Sequence, residues 1–324
     1  YEITHNKNKI KISYTGSSTI FSLEDSLCKY ETIILTCNQY NNFNKNKNSI
    51  ENFITHTLHL DEPRKKNKIH CYIADDSTWK FLSNLPKRHI NSVFHPEKKT
   101  ILNDLIEFNN SEEDYIKHGI PYKRNYLFYG EPGTGKTSML TLLASTMNTE
   151  LRMINFSNKL NDCSFMQLVS KIPPGSIMVL EDIDALFTER VSNDSGNKSF
   201  VSFSAILNCL DGIARKNKII TIMTTNYIER LDKALIRPGR IDLIVKFDLS
   251  TDKQIKEMFE SYFGKDDELL KSILKEMQNK KKSMASFQKY FFENRNKKDQ
   301  LMNNIDTLKN LDDQYNKSYK NIYN

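Results

Sequence analysis

Apolar residues in the middle of the chain fall into five short runs, separated by segments long enough to hold helices. The runs are residues 126–129, 151–156, 177–180, 219–224 and 243–247. Continuous apolar runs of this length predict strands buried on both faces, which is typical of a parallel sheet covered by helices. We therefore expect an α/β fold with a five-stranded parallel sheet, and a ligand site at the carboxyl ends of its strands.

The hydrophobic pattern differs before and after this region. Short alternating or β-branched runs at 9–14, 31–37, 53–60, 68–73 and 79–82 predict a small strand-rich domain over residues 1–97. Helical periodicity begins at residue 99 and opens the α/β domain, residues 98–249. Beyond it, an apolar stripe at helical spacing predicts a helical lid that ends in a charged tail, residues 250–324.

The segment after the first central strand matches the full G-x-x-x-x-G-K-[ST] phosphate-loop pattern and opens a predicted helix. Glycines there let backbone N–H groups turn towards a phosphate, and the helix adds the positive end of its dipole. Lys136 is expected to reach the β- and γ-phosphates, and Thr137 to ligate Mg²⁺. A chance glycine-rich turn explains the match poorly. The predicted phosphate-binding residues are Gly130, Glu131, Pro132, Gly133, Thr134, Gly135, Lys136, Thr137 and Ser138.

Two acidic residues, Glu181 and Asp182, directly follow the third apolar run. At the tip of such a strand, the first acid is expected to orient Mg²⁺ and the second to act as general base for the attacking water. An acidic N-cap cluster for the next helix is the alternative, and it is less credible downstream of a matched phosphate loop. The sequence therefore predicts a magnesium site at Thr137 and Glu181, with Asp182 as the base.

Three further polar side chains follow the fourth run. Asn226 comes directly after it and is expected to hold the attacking water, although a helix cap explains its position nearly as well. Arg237 and Arg240 flank a Pro-Gly turn, and their guanidinium groups match phosphate oxygens. Surface salt bridging is the alternative for either arginine. We interpret the pair as arginine fingers that act on the nucleotide of a neighbouring subunit.

Composition limits the classes of function. The net charge of +7 lies in Lys/Asn-rich stretches without interleaved aromatic residues, so nucleic-acid binding is the weaker hypothesis. The five cysteines are scattered without a C-x-x-C pair, which favours a reducing intracellular compartment and no structural zinc. No apolar run is long enough to span a membrane. The sequence begins at Tyr1, so a membrane anchor upstream of it stays open.

The motifs GEPGTGKT, LEDIDALF, TTN and RLDKALIRPGRID resemble those of the AAA family of ring ATPases over residues 99–263. The segments GIPYKRNYLFYG, LEDIDA and ILNCLDGI are similar to the subgroup of the mitochondrial chaperone that assembles the cytochrome bc complex and translocates the folded Rieske iron–sulfur protein. The resemblance implies ATP and Mg²⁺ as cofactors, a homo-oligomeric ring of about six or seven subunits, and a protein client. It also implies a strand-rich middle domain before the ATPase module.

The chain departs from that subgroup at two points. Glu131 stands where these loops commonly have proline, and the subgroup's amino-terminal membrane helix is not among residues 1–324. The resemblance implies the mitochondrial inner membrane, whereas a cytoplasmic or virus-encoded relative stays open. We expect a ring-forming ATPase that moves or remodels a protein client. A nucleic-acid-handling motor and a slow nucleotide-gated scaffold are the alternatives.

Overall fold

The computed structural model describes residues 68–156, 160–188, 201–211, 218–278 and 281–311, together with three strands within residues 2–36. The chain divides into two compact units, Tyr1–Asn67 and Lys68–Asn324. In the first unit, β1 (Glu2–His5), β2 (Asn8–Phe21) and β3 (Leu27–Thr36) form an antiparallel sheet. The predicted runs 9–14 and 31–37 overlap β2 and β3, whereas the predicted run 53–60 lies outside the described residues.

The second unit is built around a seven-stranded sheet. Its strands are β4 (Lys68–Asp75), β5 (Thr78–Pro86), β6 (Lys123–Gly130), β7 (Leu151–Asn155), β8 (Ile177–Glu181), β9 (Ile219–Thr225) and β10 (Leu243–Phe247). They follow the order β10-β6-β9-β8-β7-β4-β5, and every neighbouring pair is parallel except β4 and β5. The α/β class is confirmed, and the five predicted strands are β6 to β10. The sheet has two strands more than the sequence pattern predicted.

These two additional strands form a hairpin at the edge of the sheet. The sequence pattern grouped them with residues 1–97, but β4 pairs in parallel with β7. The Trp79 indole N–H donates to Leu168 O at 3.0 Å, and the Arg152 guanidinium lies 3.9 Å from the Tyr72 ring centroid. A short alternating hairpin has the same local pattern in either sheet, so only these non-local contacts decide which sheet it joins.

Helices cover both faces of the sheet. They are α1 (Lys98–Asn110), α2 (Glu112–Lys117), α3 (Lys136–Met147), α4 (Asp162–Ser170), α5 (Ala185–Thr188) and α6 (Phe203–Asp211). Strand β6 explains the two layers, because successive side chains of a strand point to opposite faces. Tyr126 and Phe128 pack in one cluster with residues of α1 and α3, whereas Leu127 packs in the other with residues of α4 and α6. All three side chains are fully buried.

A helical lid follows the sheet, as the sequence predicted. Its helices are α7 (Asp252–Phe263), α8 (Asp267–Met277) and α9 (Met284–Glu293), and Phe259, Ile273 and Phe291 are fully buried in its own apolar core. Thr251 begins α7 with a reciprocal capping box to Gln254, which satisfies backbone groups at the start of the helix. Within the part of the chain that the structure describes, no helix is long and apolar enough to cross a membrane.

Candidate functional site

A cavity of about 370 Å³ lies at the carboxyl ends of β6, β8 and β9, beneath the lid. The phosphate loop contributes residues 132–138 to its lining. Glu181, Asp182 and Asn226 line it as well, so the structure brings the predicted loop, acids and asparagine together. Gly130 and Glu131 do not line this cavity. Glu131 instead lines a separate cavity beside lysines of α8.

The phosphate loop holds backbone conformations that require glycine. Gly130, Gly133 and Gly135 have φ angles of 139°, 76° and 108°. Residues with a Cβ rarely adopt such positive φ angles. Gly130 is also crowded, since a Cβ built there would lie 2.0 Å from the backbone oxygen of Phe247 on the neighbouring strand β10. The Thr134 hydroxyl donates to Glu131 O at 2.7 Å and closes the loop. These backbone angles, the close approach to Phe247 and the Thr134 hydrogen bond together define the shape of the loop.

Lys136 stands at the centre of the site. Its Nζ donates to Gly130 O at 2.5 Å, to Glu131 O at 3.0 Å and to Asn226 Oδ1 at 2.8 Å. Burial lowers its pKa, and nearby carboxylates, led by Asp182, partly oppose this effect. A phosphate would offer the ammonium group a stronger acceptor than these neutral oxygens, because charge-assisted hydrogen bonds are the stronger kind.

The acids end strand β8, beside the polar end of β9. Burial raises the pKa of Glu181, and the charge of Asp182 raises it further. Asp182 is exposed to the cavity in a left-handed conformation, with φ of 47°. Its N–H donates to Thr224 Oγ1 at 3.2 Å, and the Asn226 amide donates to its Oδ1 at 3.5 Å. Asn226 thus bridges Lys136 and Asp182.

The oxygen groups at this site fit a magnesium ion. The Thr137 hydroxyl is exposed and lines the cavity together with Glu181. Mg²⁺ prefers oxygen ligands and is usually held by one or two carboxylates, water and the phosphates of its substrate. Among the described residues, no group of three or more His, Cys, Asp or Glu side chains could hold a metal ion. The Thr137 hydroxyl and the Glu181 carboxylate are oxygen donors of the kind that Mg²⁺ prefers.

The other end of the cavity has residues that the sequence analysis did not identify. Residues 92–95 form one wall, and Met258, Met284 and Gln288 of the lid form another. His95 is buried, and its ring centroid lies 4.3 Å from that of Phe247. Its Nδ1 accepts from the Glu97 N–H at 3.2 Å, so its Nε2 carries the proton and donates to Lys246 O at 3.0 Å. No motif signals this wall, because the fold assembles it from distant segments.

The two predicted arginines do not line this cavity. Arg237 is exposed, and both Arg237 and Arg240 line a different surface cavity of about 570 Å³. Arg240 is bonded to Asp211 at the end of α6. The arginine segment, residues 237–240, thus lines a different cavity from the phosphate loop of its own chain.

Comparison with known proteins identifies two domains in this region. Residues 126–249 match the family model "ATPase family associated with various cellular activities (AAA)", and residues 252–307 match "Mitochondrial chaperone BCS1-like, ATPase lid domain". The probable mitochondrial chaperone bcs1 of Schizosaccharomyces pombe is 35% identical over 82% of this chain and 59% of its own length. The probable mitochondrial chaperone BCS1-B of Dictyostelium discoideum is 34% identical over 80% of this chain and 63% of its own length.

The mitochondrial chaperone BCS1 of Homo sapiens is 35% identical over 65% of this chain and 53% of its own length. The chain therefore spans between about half and two thirds of the lengths of these relatives.

Proposed function

Since the chain carries an AAA ATPase domain followed by a BCS1-like lid domain, we propose that it binds ATP in the cavity at the ends of β6, β8 and β9 and hydrolyses it. The proposal rests on two hydrogen bonds of Asn226, one from the Lys136 ammonium group and one to the Asp182 carboxylate. They hold a cation, an amide and a carboxylate side by side. That arrangement can hold a terminal phosphate and a water molecule side by side.

Each residue has a distinct task in the proposed reaction. Lys136 leaves its carbonyl partners and binds the β- and γ-phosphates, and backbone N–H groups of the loop bind the remaining phosphate oxygens. Asp182 takes the proton of the water that attacks the γ-phosphorus, and Asn226 orients that water. The bond between the γ-phosphorus and the bridging oxygen breaks, so the products are ADP and phosphate. Mg²⁺, held by Thr137 and Glu181, would neutralise phosphate charge.

The chain acts, in this proposal, as a homo-oligomeric ring that remodels or moves a protein client, including a folded one. Two observations support it. The relatives are named as mitochondrial chaperones, and the arginine segment lies away from its own phosphate loop. By the names of the same relatives, we propose a mitochondrial location.

The test is phosphate release from ATP by the purified chain, combined with its mass in solution with and without ATP. Wild type should release phosphate and assemble into a ring when ATP is present, and Lys136→Ala should abolish both nucleotide binding and release. Exposed Lys233→Ala is the matched control and should behave as wild type. Phosphate release by Lys136→Ala at the wild-type rate would contradict the proposed site. A monomer at saturating ATP would contradict the ring.

A further inference from the structure

Arg240 uses its guanidinium group inside its own chain. Nε and one terminal nitrogen donate to the two carboxylate oxygens of Asp211, at 2.8 and 3.0 Å. The other terminal nitrogen donates to Ala234 O at 2.8 Å. A fork of this kind on a carboxylate is among the most directional contacts in proteins. The pKa of Asp211 lies below its ordinary value, chiefly because of the hydrogen bond from Arg240.

The backbone beside Arg240 is fixed to strand β6. The buried Asn125 amide donates to Arg240 O at 2.6 Å. Asn125 and Asp242 also exchange two bonds, from the Asp242 N–H to Asn125 O at 2.9 Å and from the Asn125 N–H to Asp242 Oδ2 at 2.7 Å. Both the side chain and the backbone of Arg240 are therefore anchored to the sheet and to α6.

Arg237 differs from Arg240 in its side chain. That side chain is exposed, and within the described part of the chain it has no hydrogen bond or ion pair, although the Arg237 backbone oxygen accepts from the Arg240 N–H at 3.1 Å. It lines the 570 Å³ surface cavity together with Ile120, which is 56% exposed. An unpaired guanidinium beside exposed apolar surface is suited to contact with a second copy of the chain.

We propose that the two arginines have different tasks, and this assignment rests on the proposed ring. Arg237 alone reaches the nucleotide of the neighbouring chain. Arg240 is a positioning residue, and its pairing with Asp211 fixes the turn that presents Arg237. Asp211 thereby contributes to the function of the arginine segment, although it lies outside the sequence motif that contains the two arginines.

The contacts explain why Arg240 does not perform both tasks. To reach a neighbouring phosphate, it would have to break three hydrogen bonds and leave the half-buried Asp211 carboxylate without its partner. Leaving one member of a charged pair unsatisfied is costlier than the pair's own contribution. Among the described residues the Arg237 side chain has no hydrogen-bond or ionic partner to give up when it binds phosphate, so it is the better donor to another chain.

The decisive experiment reverses the pair. Asp211→Arg and Arg240→Asp are made singly and together, and kcat, KM for ATP and ring assembly are measured. Each single variant should lose on the order of 10- to 100-fold in kcat, with KM within about twofold, because a displaced catalytic group costs about that much. The kcat of the double variant should be about tenfold higher than that of either single variant, because the reversed pair restores the salt bridge. A direct contact with phosphate could not be restored by aspartate at position 240.

A second measurement covers the case in which the reversed pair does not fold. Asp211→Ala should lower kcat as much as Arg240→Ala, and the double alanine variant should be no worse than either. If Asp211→Ala keeps the wild-type kcat while Arg240→Ala is inactive, Arg240 acts directly and the assignment is wrong. If Arg237→Ala keeps the wild-type kcat, Arg237 is not the donor. A wild type that forms rings but releases no phosphate would contradict the proposed function instead.

Discussion

At the scale of single residues, the candidate site depends on backbone conformations that few side chains tolerate. Gly130 approaches Phe247 O too closely for any Cβ, and Asp182 adopts a left-handed conformation in which aspartate and asparagine are enriched. The second observation gives a physical reason for the order of the two acids. A short side chain that tolerates this conformation stands at position 182, and glutamate precedes it in the strand.

Gly130→Ala should destabilise the protein strongly, because its Cβ would meet backbone atoms of β10 that cannot move aside. Gly119→Ala is the matched control: its φ is also positive, at 66°, but nothing lies within 4 Å of the added Cβ. Backbone strain alone costs about 1–3 kcal/mol, so Gly130→Ala should lose more than Gly119→Ala. Urea unfolding measures both, and equal losses would show that the close approach has no effect.

Asp182→Asn should bind ATP and hydrolyse it slowly, by a factor on the order of 10²–10⁴, because the amide cannot accept the proton. The backbone conformation should persist, since asparagine also tolerates it. Asp182→Glu restores the carboxylate but is less suited to this backbone, so its activity should lie between those of Asp182→Asn and wild type. Single-turnover hydrolysis and binding of a fluorescent analogue separate the two steps. Wild-type turnover in Asp182→Asn would remove Asp182 from the role of base.

We expect His95 to make the stability of the folded chain depend on pH. Burial lowers its pKa, whereas the bond to Lys246 O and the charges of Glu97 and Asp248 oppose this effect. A lowered pKa means that the folded state favours neutral imidazole. This stabilisation is complete above the unfolded value of about 6.5 and is lost as the pH falls through the folded-state pKa.

The melting temperature of wild type should therefore fall more steeply between pH 6.5 and pH 5 than that of His95→Gln, in which this position does not titrate. His89→Gln is the control, since His89 lies at an exposed turn outside the cavity. Identical slopes for wild type and His95→Gln would contradict the assignment.

At the scale of elements, local patterns predicted what depends on local physics. Strands β6 to β10 have continuous apolar runs because helices cover both of their faces, and the phosphate loop is defined by its own glycines and lysine. The β4–β5 hairpin lacked such a signal. Its position depends on Trp79 and Arg152, whose partners Leu168 and Tyr72 are far from them in sequence.

Trp79→Phe should reduce the free energy of unfolding by about 1 kcal/mol, because it removes the hydrogen bond to Leu168 O and keeps most of the ring contacts. ATP hydrolysis at a temperature where the variant is folded should stay close to that of wild type. Leu82→Met is the control, since Leu82 is 49% exposed on the same strand, and it should change stability by less than about 0.5 kcal/mol. A loss with Trp79→Phe no larger than the control's would mean that Trp79 does not anchor the hairpin.

At the scale of the whole molecule, the residues that the sequence singled out line one half of the cavity, and the residues of the other half were not predicted. Lys136 and Asn226 follow β6 and β9, and the two acids lie at the end of β8. Their position at one edge of the sheet is therefore a consequence of parallel topology. Residues 92–95 and Gln288 of the lid belong to segments almost two hundred residues apart, and no spacing rule connects them. The contacts of Arg240 could not be predicted from the sequence either, because they join three separate segments of the chain.

A mixture of inactive chains tests the proposed ring directly. Lys136→Ala keeps its arginines but not its phosphate site, and Arg237→Ala keeps its phosphate site but not its arginine. Mixed one to one, they should recover roughly a quarter of the sites by random assortment in a closed ring, although each chain alone is nearly inactive. Phosphate release by the mixture measures this. A mixture whose rings contain both variants, and which is still as inactive as its components, would show that the arginine does not act between chains.

Strand β6 has one further consequence. Its beginning is bonded through Asn125 to the arginine segment, and its end becomes the phosphate loop. Asn125 and Gly130 are five residues apart, roughly 17 Å at the usual rise of a strand. In an assembled ring, one end of this strand would face the chain's own ATP and the other end the neighbour's. In the proposed ring, a movement of this strand on loss of a phosphate at one site would be passed to the arginine that serves the next site.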